Sequence, residues 1–103
     1  MNRIEQLKSF LEEAPNDNFL MHALALEFIK AGDDQSGLSC FLSNLENSPG
    51  YIPTYYHLGK LYERVGETQK AIDIYAQGME IAKTAGDNHA LSELRSVYEE
   101  LIW

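Results

Sequence analysis

Residues 55–75 read YYHLGKLYERVGETQKAIDIY, and this stretch decides the fold. Tyr55, Leu58 and Tyr62 recur at three- and four-residue steps, as the buried stripe of an α-helix requires. Gly66 and Glu67 interrupt the pattern, and it resumes with Ile72, Tyr75 and Met79. A glycine reaches the left-handed backbone conformation of a helix stop without steric penalty, so two helices joined by a short loop are expected. Upstream, the same arrangement recurs. Pro15 and Pro49 lie 34 residues apart, and so do Gly32 and Gly66, each glycine being followed by an acidic residue. Between these marks Leu20, Leu24 and Phe28 form one helical stripe and Leu38, Phe41, Leu42 and Leu45 the next. The chain therefore contains two copies of a helical hairpin with a period of 34 residues.

Two further helices flank the hairpins. The first covers about 3–14, with Ile4, Leu7, Phe10 and Leu11 on one face. The second covers about 88–102, where Leu91, Leu94, Val97, Tyr98 and Leu101 oppose Glu93, Arg95, Glu99 and Glu100. The expected organisation is one all-α domain over 1–103, with a helix at 3–14, hairpins at 18–49 and 52–85, and a closing helix at 88–102. Asp17, Asp34 and Thr68 are expected at helix starts, where their side-chain oxygens accept amide hydrogens that have no partner within the helix. Gly32, Gly66 and Gly86 are expected at helix ends.

Composition narrows the classes of function. Hydrophobic residues make up 45% and charged residues 23%, a globular balance. The formal charge of −8 repels nucleic-acid phosphates and anionic lipid head groups, so neither is an expected partner. Cys40 stands alone, which excludes an internal disulfide and suits a reducing compartment. No apolar run approaches the ~20 residues of a spanning helix, and Glu5, Lys8, Glu12 and Glu13 break up the first fifteen residues, where a signal peptide would need an apolar core. A cytoplasmic location is the resulting expectation.

The second copy resembles the tetratricopeptide repeat. Tyr55, Leu58-Gly59, Tyr62, Ala71 and Tyr75 match its signature in residue class and spacing, with tyrosine in place of the opening tryptophan. The first copy resembles it more loosely through Met21, Leu24-Ala25, Phe28, Gly37, Phe41 and Pro49. Ala25, Gly37, Gly59 and Ala71 fall where paired helices approach closely. Gly37, Gly59 and Gly78 each cost about 1 kcal/mol relative to alanine in a helix, so close packing is the expected compensation. One departure is Lys83, which stands where the second copy should have proline; its last helix is expected to run on to Gly86. The resemblance implies antiparallel hairpins stacked into a short right-handed superhelix whose first helices line a concave groove for a peptide.

Carried onto this sequence, that groove would be lined by Phe19, His22, Leu26, Ile29 and Lys30 from the first hairpin and by Tyr56, Lys60, Glu63 and Arg64 from the second. Lys30, Lys60 and Arg64 are three of only eight basic residues and would suit an acidic peptide or a carboxylate, or they are ordinary solvated helix positions. Phe19, Leu26, Ile29 and Tyr56 suit a ligand anchored by apolar side chains, or they belong to the core. Chaperone-binding members of the family clamp two carboxylates with lysines, asparagines and arginine; here His22, Leu26 and His57 occupy the corresponding faces, and the clamp is missing.

The implied function is a protein-interaction module or adaptor rather than an enzyme. The alternative is a self-associating scaffold subunit, a homodimer built through Leu101, Ile102 and Trp103, three apolar residues at a fraying helix end. No catalytic, metal or cofactor set is read from the sequence. His22, His57 and His89 lack the paired short spacing of a zinc site, Asp33-Asp34-Gln35-Ser36-Gly37 lacks the alternating ligands and terminal glutamate of a calcium loop, and Gly59-Lys60 has no glycine-rich loop before it. Cys40, beside Phe41 and Leu42, reads as an inert, partly buried thiol.

Overall fold

The structure, a computed structural model, describes residues 2–103, and among these it contains six α-helices and no strand. They are α1 (Arg3–Glu13), α2 (Asn18–Lys30), α3 (Asp34–Asn47), α4 (Pro53–Arg64), α5 (Thr68–Ala85) and α6 (Asn88–Ile102). Two compact units, Met1–Tyr51 and Ile52–Trp103, divide them three and three.

The helix stops follow one pattern. Gly32, Gly66 and Gly86 adopt φ of 86°, 84° and 72°. At the first, the Asp33 amide donates to the Phe28 carbonyl at 2.8 Å and the Gly32 amide to the Ile29 carbonyl at 2.9 Å. This double closure satisfies carbonyls left open at a helix end, and it needs a residue that tolerates positive φ. The bonds from the Glu67 amide to the Tyr62 carbonyl and from the Asp87 amide to the Ala82 carbonyl repeat the Asp33–Phe28 closure.

The acidic residue after each glycine stands at the next helix start. Asp33 and Asp87 accept the amides of Ser36 and Ala90 at 3.1 and 3.0 Å, and Asp17 accepts that of Leu20 at 3.0 Å. The cap of α3 is thus Asp33, one residue earlier than the expected Asp34, because its carboxylate reaches the Ser36 amide while Asp34 is already helical. Likewise Thr68 is the first helical residue of α5, and Glu67 occupies the cap position without a side-chain hydrogen bond.

In unit 1, α2 packs against α1 on one side and α3 on the other. Leu7, Leu24, Ala25 and Phe41 are buried between them. An added Cβ at Gly37 would meet Ile29 Cγ1 at 2.7 Å and the Ala25 carbonyl at 3.2 Å, so the missing side chain lets α3 lie close to α2. Buried Asn44 of α3 donates to the Asn18 carbonyl at 3.0 Å and ties the start of α2 to the partner helix. Leu42, expected on the buried stripe of α3, is 43% exposed; Phe41 takes the inward position, and the next residue is turned by about 100° around the helix.

In unit 2, α5 packs on both α4 and α6, and α4 also meets α6. Tyr55, Leu58, Tyr75 and Leu94 are fully buried there. A Cβ on Gly59 would fall 2.1 Å from Tyr75 Cε1, and one on Gly78 would fall 2.5 Å from Tyr55 Cβ. The two glycines thus seat the two buried tyrosines, one on each side of the α4/α5 interface. As expected from Lys83, α5 continues to Ala85, 18 residues in all.

Candidate functional site

The two inter-hairpin helices that open the repeats, α2 and α4, carry the residues expected to meet a partner. Phe19, in the first turn of α2, is 62% exposed, an unusual position for a phenylalanine. Leu26 is half-buried and Lys30 exposed. His22 is buried at 7% exposure, its ring 5.6 Å from the ring centroids of both Phe41 and Tyr51. Ile29 is the side chain pressed onto Gly37. His22 and Ile29 thus face α3 and the turn after it, where they hold the hairpin together.

On α4 the split is clear. Thr54, Tyr55, Leu58, Gly59, Leu61 and Tyr62 are buried, whereas Lys60 and Arg64 are exposed and Tyr56 is half-buried. Glu63 is engaged within the unit: its carboxylate accepts the Tyr75 phenol at 2.5 Å and lies 3.6 Å from the Lys60 ammonium. Burial raises the Tyr75 phenol well above the usual tyrosine range, and the Glu63 carboxylate adds to this by accepting the proton and by its negative charge. Glu63 therefore acts as the polar terminus of a buried tyrosine. The outward set reduces to Phe19, Leu26 and Lys30 on α2 and to Tyr56, Lys60 and Arg64 on α4.

Unit 2 also contains a concavity that the sequence reading did not identify. The first turns of α4 and α6 enclose a cleft of about 340 Å³, with apolar lining from Ile52, Pro53, Ala90 and Leu94 and polar lining from Tyr56, His57, Asp87, His89 and Glu93. A second hollow of about 350 Å³ shares Tyr56, His89 and Glu93 and adds Ser92, Ser96 and Val97. The Tyr56 and His57 rings meet edge-on at 5.5 Å between centroids. Partial burial lowers the His57 imidazole below the usual histidine value, against the opposing pull of Glu93. His89 Nε2 lies 3.5 Å from Glu93 on the exposed side of α6. The sequence already showed His89 and Glu93 four residues apart; the proximity of their helix to Tyr56 is a tertiary fact.

Among the described residues, no three His, Cys, Asp or Glu side chains gather as a metal site. Burial pushes the Cys40 thiol up, away from the reactive thiolate. No helix among the described residues is long and apolar enough to cross a membrane.

Known proteins share this fold. A tetratricopeptide repeat domain protein from Salinibacter ruber, solved by NMR, is 44% identical, with a TM-score of 0.83 over 85% of this chain and 89% of that one. A TPR repeat-containing protein of Pseudomonas aeruginosa is 28% identical over 91 residues, 88% of this chain and 87% of its own length. A Bordetella parapertussis protein at 21% identity shares the fold, with a TM-score of 0.83 over 98% of this chain and 88% of that one. No family model matches the chain.

Proposed function

The chain belongs to the tetratricopeptide repeat family, and from that premise we propose that it is a protein-binding module whose contact residues lie on the outward faces of α2 and α4. Proteins of this fold hold other proteins, and the resemblance implies that the first helix of each hairpin makes the contact. The observation that carries the reading is Phe19, a large apolar ring left 62% exposed on a first helix. Leu26 and Tyr56, half-buried on the same class of helix, supply further apolar area. Lys60 is drawn to Glu63, which weakens the case for a carboxylate ligand and favours a partner segment anchored by apolar side chains. The module works by shape and a few anchors, with no catalytic step.

Selection from a displayed random-peptide library on the full chain tests this. Enrichment of segments sharing an apolar anchor, with binding lost on Phe19→Glu or Tyr56→Glu, is the expected result. Absence of enrichment, or binding indifferent to both substitutions, would remove the proposed surface.

A second reading has its own observation: Ile102 is 42% exposed and Trp103 91% exposed at the end of α6. These apolar residues would pair two copies of the chain. Light-scattering mass at several concentrations, for the full chain and for one truncated before Leu101, separates the readings. A dimer lost on truncation supports self-association; a monomer throughout removes it.

A further inference from the structure

The cleft between the first turns of α4 and α6 combines three features. It is concave, its lining includes the apolar side chains of Ile52, Ala90 and Leu94, and two carboxylates, Asp87 and Glu93, border it beside the aromatic ring of Tyr56. Glu93 and Tyr56 also border the adjoining hollow, so the carboxylate and the ring stand between two recesses.

Positive charge already present does not satisfy these carboxylates. Partial burial favours the neutral form of His57, so this ring leaves the cleft's negative charge largely uncompensated near neutral pH. The Lys60 ammonium, one turn along α4, is paired with Glu63. His89 approaches Glu93 at 3.5 Å, but with the ring 87% exposed, a contact that an entering group can replace. Asp87 caps α6 through Oδ1, which accepts the Ala90 amide at 3.0 Å, and a carboxylate has lone pairs for more than one donor. An aliphatic stem with a cationic, planar head fits these surroundings: the stem against Ile52 and Ala90, the head over Tyr56 and beside the carboxylates. The net charge of −8 would steer a basic segment towards the protein.

We propose that this cleft receives an arginine side chain of the bound partner segment, its guanidinium stacked on Tyr56 and paired with Glu93 and Asp87. The proposal deepens the binding-module reading and rests on it. A guanidinium is favoured over an ammonium because its planar fork can address two carboxylates and an aromatic face together.

The test uses the full chain, with N-acetyl-arginine amide as the probe and amide NMR shifts as the readout. N-acetyl-citrulline amide, of nearly the same shape without the charge, and N-acetyl-lysine amide serve as comparisons. The arginine probe is expected to shift the amides of residues 54–57 and 87–97, and the citrulline probe to leave them in place. Glu93→Gln and Asp87→Asn should each weaken the arginine shifts about threefold, the scale of one partly exposed charge pair. Asparagine caps a helix as well as aspartate does, so Asp87→Asn keeps α6 intact. Equal shifts from citrulline, shifts spread over unrelated acidic residues, or variants that titrate like the parent would overturn the site; equal shifts from lysine would overturn the choice of a guanidinium. Library-selected peptides that lack a basic residue yet lose binding on Phe19→Glu would overturn this proposal alone and leave the module reading standing.

Discussion

Replacing Gly59 by alanine tests the packing on which unit 2 depends. In an ordinary helix the change stabilises by about 1 kcal/mol, because glycine loses more backbone freedom on folding. Here the added Cβ would fall 2.1 Å from Tyr75 Cε1 and 2.6 Å from Cδ1 and Cζ, where ordinary contact begins near 3.4 Å. The ring would have to move by more than an ångström. It is completely buried, and its hydroxyl is fixed on Glu63, so it has little room to move. Overpacking of a filled core costs about 1–3 kcal/mol, and a rigid ring at this distance belongs at the upper end. The net loss is then about 2 kcal/mol, a fall in Tm of roughly 8–16 °C for a domain of this size. Thermal unfolding followed by circular dichroism measures it directly. Gly50→Ala is the control: Gly50 has no atom within 4 Å of an added Cβ and is not among the positive-φ glycines, so its Tm should hold or rise slightly. Combining Gly59→Ala with Tyr75→Leu should cost less than the sum of the two single changes, because the smaller side chain vacates the space the Cβ needs. A Gly59→Ala protein as stable as the parent would refute the close approach of α4 and α5 at this residue.

Glu67→Asp should add the side-chain cap that α5 lacks and raise stability by about 0.5–1 kcal/mol, read from urea midpoints; no change would mean that the loop geometry excludes the cap. The Tyr75 phenol is held neutral in the folded protein, so its contribution is fully present below the ordinary tyrosine value of 10 and is lost as pH rises above it. Stability should therefore fall at alkaline pH, and Tyr75→Phe should flatten that fall while costing about 1 kcal/mol near neutrality; parallel alkaline profiles would refute the assignment. The lowered His57 has the opposite sign: its contribution is present above 6.5 and is lost as pH drops through the folded value, so His57→Gln should lessen the acid-side loss seen in urea titrations.

The α4/α5 hairpin was legible in the sequence because α4 separates its faces sharply and Gly59 has a facing tyrosine in Tyr75. The glycine stops were legible for a backbone reason, since all three adopt positive φ. Caps were legible only to within one residue where candidates adjoin, as with Asp33 and Asp34. The outward face of α2 was harder to read. Its sequence, NFLMHALALEFIK, is apolar on every side, so periodicity cannot separate the side chains that face α1 and α3 from those left outside. His22 and Ile29 were accordingly expected in the groove and lie instead against α3 and Tyr51. The pairing of Gly37 with a branched side chain across the hairpin was a signal that could have moved Ile29 inward. The bond between Glu63 and Tyr75 was hidden for another reason: a carboxylate on a helix surface gives no sign that it receives a buried phenol from the next helix. The cleft could not be read at all, because its walls come from the starts of α4 and α6, with the whole of α5 between them in sequence.

The central claim is that the outward faces of α2 and α4 hold the partner. The most direct measurement is the affinity of one library-selected peptide for three single variants of the full chain, Phe19→Glu, Tyr56→Glu and Leu42→Glu. Leu42 is 43% exposed on α3, so the third variant places the same charge on an apolar surface residue outside the proposed faces. Loss of at least about tenfold, or 1.4 kcal/mol, for the first two and parent-like affinity for the third is the predicted result. Undiminished binding to Phe19→Glu and Tyr56→Glu, or loss confined to Leu42→Glu, would contradict it.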